Sequence, residues 1–128
     1  MKITGKQFLI IGSFLSGLGV ALGAVGAHAL KEVLLANNRT NTFEAAVRYH
    51  LFHGLALILV GILCYVLKEI DFTLSGLLLL VGVTLFSLSL YLLCLTQMSW
   101  VAFATPIGGV LMISGWVLLT IKLMKAPK

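Results

Sequence analysis

Two histidines and a tyrosine stand close together where a strongly apolar segment begins. Tyr49, His50 and His53 occur in the stretch AVRYHLFHGLAL, and the chain then stays apolar as far as Leu67. On a helix, Tyr49 and His53 share a face because they are four residues apart, and His50 lies three residues before His53. Imidazole binds metals, carries protons and forms hydrogen bonds. This segment alone does not distinguish these three roles, so the surrounding elements have to be considered.

The composition places these groups in a membrane. Of the 128 residues, 60% are hydrophobic and only 10% are charged, whereas a soluble domain has about 25% charged residues. Four apolar runs each reach the roughly 20 residues that a helix needs to cross a bilayer, and backbone groups in lipid must be bonded within their own segment. We therefore predict a single transmembrane domain over residues 1–128, an all-α integral membrane protein folded as an antiparallel four-helix bundle. Its spans are predicted at about 8–30, 45–67, 72–95 and 100–121.

The loops predict the topology. The connections after the second and third spans are short and allow only antiparallel hairpins, and the longer first loop ends in Asn41 and Glu44, which have the spacing of a capping box. More cations lie on the side of the termini than on the other side, so the positive-inside rule predicts cytoplasmic N- and C-termini. The terminal side carries Lys2, Lys6, Lys68, Lys122, Lys125 and Lys128, and the opposite side carries Lys31, Arg39 and Arg48.

The N-terminal segment has one competing interpretation. The tripeptide Ala27-His28-Ala29 resembles a signal-peptidase site, but the preceding apolar run is longer than that of a typical signal peptide. We therefore expect the segment to remain as the first span. The net charge of +5 arises from cations at the ends of the apolar runs, and they are not interleaved with aromatic residues. No nucleic-acid partner is expected.

With this topology, all four spans contribute polar side chains to the outer half of the bundle. At a rise of 1.5 Å per residue they fall within roughly 12 Å of the outer boundary, whereas the inner half is mostly aliphatic. Neutral side chains of this kind can join helices by hydrogen bonds at modest cost. The predicted polar layer, which serves either as a structural network or as a ligand or partner site, comprises His28, Tyr49, His50, His53, Ser87, Ser89, Tyr91 and Thr105.

Three chemical alternatives compete with a structural layer. His28, His50 and His53 have enough nitrogens for a metal or haem site, but no carboxylate lies near to orient them, so we predict no metal and no cofactor. Ionisable groups inside a span also indicate a transport path, although no acidic residue lies at mid-membrane in any span. Ser87 and Ser89 lie at the depth of the histidines, but no carboxylate completes a catalytic triad. We predict no catalytic residues and no enzymatic activity.

Other patterns predict packing. Glu44 and Arg48 are four residues apart and are predicted to form an interfacial ion pair. Small residues recur at four-residue spacing, for example Gly17 and Ala21, which lets membrane helices approach closely within one chain or between two copies. The glycines that we predict to pack helices together are Gly19, Gly23, Gly108 and Gly109.

Four segments, one from each span and in chain order, resemble a bacterial membrane-protein family. The segments are ALGAVGAHAL, YHLFHGLAL, FSLSLYLLCL and FATPIGGVLMISGW, and they are similar to the signature segments of domain of unknown function family 423. The resemblance implies a four-helix fold in a bacterial cell membrane and supplies no activity. Relatives commonly have Gln in place of His50, which implies hydrogen bonding rather than metal ligation at that position. The family pattern covers Gly23, Gly26, Ala27, His28, Tyr49, His53, Ser89, Tyr91, Thr105, Pro106, Gly108, Gly109, Gly115 and Trp116.

These observations favour a non-enzymatic protein of the bacterial plasma membrane. Its polar layer is expected to fix the helices or to dock a partner, and the expected partners are membrane lipids, a second copy of the chain or another membrane protein. The alternative is a small transporter or channel, which can be oligomeric.

Overall fold

The computed structural model describes residues 4–126, which fold into helices joined by short connections. No strand occurs in this part of the chain. Four helical segments are long and apolar enough to cross a membrane, so the predicted all-α fold with four membrane helices is confirmed. The helices are α1 (Gly5–Ala27), α2 (Lys31–Ala36), α3 (Thr40–Val66), α4 (Thr73–Thr96) and α5 (Ala104–Met124), and a 3-10 turn at Ser99–Phe103 leads into α5.

α1 starts in a polar turn that lies outside its apolar run. The side chain of Thr4 accepts a hydrogen bond from the Gln7 amide, and the Gln7 side chain accepts one from the Thr4 amide at 2.7 Å. This capping box satisfies two free amides and extends α1 to Gly5. The capping box predicted in the first loop was wrong, because α3 already begins at Thr40 and its N-cap, Arg39, makes no side-chain cap bond.

The spanning helices pack against one another in chain order. α1 packs along α3, α3 along α4, and α4 along α5, as expected for antiparallel hairpins. At the end where α1 meets α2, the connection into α3 is tied to α4. The Asn37 side chain donates to the Cys94 carbonyl at 3.1 Å, and Arg39 donates to the Gln97 side chain at 3.4 Å. We call this end of the bundle the α2 end, and the opposite end the terminal end.

Glycines at seven-residue intervals bring α1 and α3 into backbone contact. A Cβ atom on Gly12 would lie 2.6 Å from the Gly54 carbonyl oxygen, and one on Gly61 would lie 2.9 Å from that of Gly5. A seven-residue repeat keeps one seam facing its partner along a left-handed crossing. The α4–α5 contact is equally close, because a Cβ on Gly108 would lie 2.6 Å from the Gly82 carbonyl oxygen.

The four glycines that the sequence marked for packing have unequal surroundings. Gly19 is buried against Leu51, and a Cβ on Gly23 would lie 3.3 Å from the Val47 side chain. Gly108 belongs to the α4–α5 seam described above. A Cβ on Gly109 would meet its nearest neighbour only at 4.0 Å, so Gly109 lies beside that seam.

Two apolar clusters occupy the two ends of the bundle, and polar side chains lie between them. The terminal-end cluster contains Phe8, Ala56, Leu57, Val60, Phe72, Leu79 and Leu119. The α2-end cluster contains Leu34, Phe43, Ala46, Tyr91 and Cys94. Along α3, His50 and His53 fall between the residues of these two clusters. The fold therefore places both histidines between the two clusters, where they need hydrogen-bond partners from other helices.

Candidate functional site: a hydrogen-bonded layer and an apolar cleft

His50 and Ser87 join α3 to α4. Nδ1 of His50 lies 3.1 Å from the Tyr91 hydroxyl oxygen, and the two side chains are only 6% and 9% exposed. The Ser87 hydroxyl donates to the Ala46 carbonyl at 3.0 Å. This second bond crosses the same interface one turn away from the first. Two buried hydrogen bonds therefore fix the rotation of α3 against α4.

His53 joins α3 to α5 through Trp116. Its Nδ1 atom lies 2.9 Å from the Tyr49 carbonyl oxygen, and its Nε2 atom lies 3.1 Å from the indole nitrogen of Trp116. An indole N–H can only donate, so Nε2 must accept and the ring proton must be on Nδ1, from which it is donated to the carbonyl. Both ring nitrogens are thus bonded in one neutral tautomer.

Ser89 and Thr105 join α4 to α5. Their hydroxyl oxygens lie 2.7 Å apart, and the Ser89 hydroxyl also lies 2.8 Å from the Phe86 carbonyl oxygen. The polar side chains therefore connect three different pairs of spanning helices. We call this set the hydrogen-bonded layer, and it consists of His50, His53, Ser87, Ser89, Tyr91, Thr105 and Trp116.

Two side chains of the predicted polar layer lie outside the hydrogen-bonded layer. His28 is the exposed C-cap of α1. The Tyr49 ring is also exposed, and it stacks on the His53 ring with centroids 6.1 Å apart and packs 4.6 Å from the Phe86 ring. The backbone carbonyl of Tyr49, not its side chain, is what contributes to the layer.

Trp116 is the member that spacing did not identify. It is not part of the predicted polar layer, but its long side chain reaches across to His53. Two signals pointed to it: the resemblance pattern included it, and an indole N–H inside a span needs an acceptor.

The three histidines do not assemble into a common site. His50 and His53 bond different partners, as described above, and His28 is exposed at the end of α1. Over residues 4–126 no group of three or more His, Cys, Asp or Glu side chains is close enough to hold a metal ion.

One imidazole nitrogen is buried without a partner. Nε2 of His50 makes no hydrogen bond within the described residues. It borders a crevice of about 190 Å³ between α1 and α4, whose walls include Leu15, Leu18 and Leu88. The crevice is thus narrow and mainly apolar, and its polar lining residues are His50, Thr84, Ser87 and Tyr91.

A larger cleft opens at the α2 end between α1, α2 and α3. Its volume is about 570 Å³, which is within the usual range for ligand sites. Gly23, Gly26, Val47 and Leu51 are among its apolar lining residues. We call it the α2-end cleft.

Charged side chains stand on the rim of this cleft. Lys31, Glu44 and Arg48 all line it, and all three are exposed. Glu44 and Arg48 are the residues that we predicted to form an ion pair, and both lie on the rim. They do not form a salt bridge in the structure. Within residues 4–126, neither cation of the rim forms a salt bridge.

Comparison with known proteins identifies the family. Residues 22–109 match the family described as Protein of unknown function (DUF423). The chain belongs to this family. The matched region contains the α2-end cleft and most of the hydrogen-bonded layer, from the last turns of α1 to the first turns of α5.

Relatives extend the similarity to nearly the whole chain. The UPF0382 membrane protein SH2409 of Staphylococcus haemolyticus is 42% identical over 120 residues, which cover 94% of this chain and 97% of that protein. The UPF0382 membrane protein YwdK of Bacillus subtilis is 38% identical over 121 residues, with 94% and 98% covered. No solved structure matches the chain. The relatives are bacterial membrane proteins by name, and their names state no activity.

Proposed function

We propose that this DUF423 protein is a non-catalytic membrane protein whose hydrogen-bonded layer holds the helices in one arrangement and so shapes the α2 end for docking a lipid or protein partner. The observation that carries the proposal is that the polar side chains of the layer bond one another across helices. His50 bonds Tyr91, Ser89 bonds Thr105, and His53 bonds Trp116. Such bonds stabilise one relative position of two helices, which the surrounding lipid alone would not fix.

The distribution of polar groups argues against a transport path as the main role. A path for an ion or solute needs polar side chains through both halves of the membrane. Toward the terminal end, the space between the helices is filled by buried apolar side chains such as Phe8, Leu57, Val60 and Leu79. The layer therefore ends against a packed apolar cluster.

The proposal includes an orientation. Lys6, Lys68, Lys122 and Lys125 lie at the terminal end, and no cation occurs in the connection between α4 and the 3-10 turn. The positive-inside rule then favours cytoplasmic termini and an α2 end that faces outward across the plasma membrane.

The test compares connecting hydroxyls with a hydroxyl that bonds only its own helix. Ser89→Ala and Tyr91→Phe remove interhelical bonds, whereas Ser114→Ala removes a bond to the Val110 carbonyl of the same helix. In lipid discs, each of the first two variants should lower the free energy of unfolding by about 0.6–1.7 kcal/mol, and Ser114→Ala should change it by less than about 0.5 kcal/mol.

Flux measurements on the same variants distinguish the alternative. Liposomes that contain the unaltered protein should show no pH-dependent flux above that of empty liposomes. If they show a flux that Ser89→Ala or Tyr91→Phe abolishes without a change in stability, the layer is a transport path and the proposal is wrong.

A further inference from the structure

The α2-end cleft has the shape of a site for an amphiphile. Its floor is built from glycines of α1, and from Val47 and Leu51 of α3, and its charged residues are confined to the rim. The absence of a side chain at Gly23 keeps this part of the floor open, because a Cβ there would already lie only 3.3 Å from a Val47 methyl group. An apolar floor with a charged rim matches a molecule that has a hydrocarbon part and a charged head.

The rim has an excess of positive charge. Lys31 and Arg48 contribute two cations and Glu44 one carboxylate, and neither cation forms a salt bridge within residues 4–126. An unpaired arginine near hydrocarbon is costly unless it reaches an anion or the headgroup layer. The charge of the rim is therefore complementary to an anionic head.

The depth of Arg48 matches that of lipid phosphates. Lys68 is the first cation after α3, and it marks the membrane boundary at the terminal end. A helix crosses the hydrocarbon core in about 20 residues, and Arg48 precedes Lys68 by that number of positions. Arg48 thus lies at the opposite boundary, where its guanidinium can bind a phosphate through two parallel hydrogen bonds.

From this geometry we infer that the α2-end cleft binds an anionic membrane phospholipid. Lys31 and Arg48 bind its phosphate, and one acyl chain lies over Gly23 and Leu51. The inference rests on the proposed docking function and names the partner. Glu44 on the same rim disfavours a head with two or more negative charges, so a lipid with a single phosphate is the occupant.

The test measures lipid retention by the full chain. The protein is placed in phosphatidylcholine discs that contain a minor fraction of phosphatidylglycerol, and the lipids that remain bound are counted by native mass spectrometry. The unaltered protein should retain phosphatidylglycerol in preference to phosphatidylcholine. Lys31→Gln and Arg48→Gln should each weaken this retention about fivefold, since one cation near an anionic lipid contributes about 1 kcal/mol. Lys125→Gln, at the terminal end, should leave retention unchanged.

A second pair of variants tests the apolar part and keeps every charge. Gly23→Leu fills the cleft and should abolish retention of phosphatidylglycerol. Gly17→Leu is the matched control, because nothing lies within 4 Å of a Cβ at Gly17, and it should bind lipid normally.

Two outcomes overturn the inference. One is equal retention of phosphatidylcholine and phosphatidylglycerol by the unaltered protein, and the other is full retention by Arg48→Gln and Gly23→Leu. Neither result affects the proposed scaffold, which fails only if Ser89→Ala and Tyr91→Phe leave unfolding unchanged.

Discussion

The bond between His53 and Trp116 offers the sharpest test of the hydrogen-bonded layer. Trp116→Phe keeps an aromatic ring in place and removes the one N–H that His53 Nε2 accepts. His53 is only 6% exposed, so water has little access to the abandoned nitrogen. His53→Leu removes the acceptor instead, and the double variant removes both partners.

The size of the effect follows from burial. Interhelical hydrogen bonds in membranes contribute on average about 0.6 and at most about 1.7 kcal/mol, and a buried acceptor without a donor costs about 1–3 kcal/mol. Trp116 is 40% exposed, so the loss of ring area adds little. We expect Trp116→Phe to lower the free energy of unfolding by about 1–2 kcal/mol. The double-mutant cycle should give a coupling of about 0.6–1.7 kcal/mol.

The assay is reversible unfolding in bicelles or lipid discs, followed through the far-UV helix signal. Trp100→Phe provides the control, because Trp100 is 68% exposed, and it should change stability by less than about 0.5 kcal/mol. If Trp116→Phe costs no more than Trp100→Phe, or if the coupling energy is zero, the contact contributes nothing and the layer is not what holds α5 to α3.

The same unfolding assay checks two further predictions. Gly12→Ala should lower the free energy of unfolding by about 1–3 kcal/mol, since its Cβ would lie 2.6 Å from the Gly54 carbonyl oxygen. Gly17→Ala should change it by less than about 0.5 kcal/mol. Equal effects of the two variants would contradict the glycine contact between α1 and α3. His50→Gln should keep most of the free energy of unfolding, because an amide can also bond the Tyr91 hydroxyl. His50→Leu should lower it by about 1–2 kcal/mol, because it leaves that hydroxyl without a partner. A Gln variant as unstable as the Leu variant would contradict this role.

The membrane fold was predictable because a spanning helix requires only a sufficient number of consecutive apolar residues, which the sequence shows directly. Hydropathy located all four spans, but it predicted that the first two start at residues 8 and 45, which lie inside the observed helices. α1 begins at Gly5 through the Thr4 cap, and α3 begins at Thr40. Helical hydrogen bonding continues into polar turns that a hydropathy count leaves out.

Helix packing was less predictable, because the sequence of a span that is apolar on every side does not distinguish the face toward the protein from the face toward lipid. Small residues recur in α1 at both four- and seven-residue spacing. The structure uses the seven-residue set that includes Gly12 and Gly19, whereas Gly17 faces open space. Small size permits a close approach, but the partner helix decides which glycines are used.

The sequence predicts how far along its helix each polar side chain lies, but it does not predict the direction of that side chain. A fixed rise of 1.5 Å per residue places His28, Tyr49 and His50 at similar depths. Of these three, only His50 is buried and bonds a residue of α4, whereas the other two side chains are exposed. Rotation about the helix axis is set by neighbours such as Tyr91, and one sequence does not identify those neighbours.

The rotation of α3 also couples the two parts of the site. Successive residues turn by about 100°, so Arg48 and His50 point in directions about 200° apart. When Tyr91 holds His50 toward α4, Arg48 must face away from α4, on the rim of the α2-end cleft. The hydrogen-bonded layer thus sets the position of the cation that we assign to lipid binding. A buried structural network and an exposed ligand site are then two consequences of the same helix orientation, and the first does not need to touch the ligand to be required for the second.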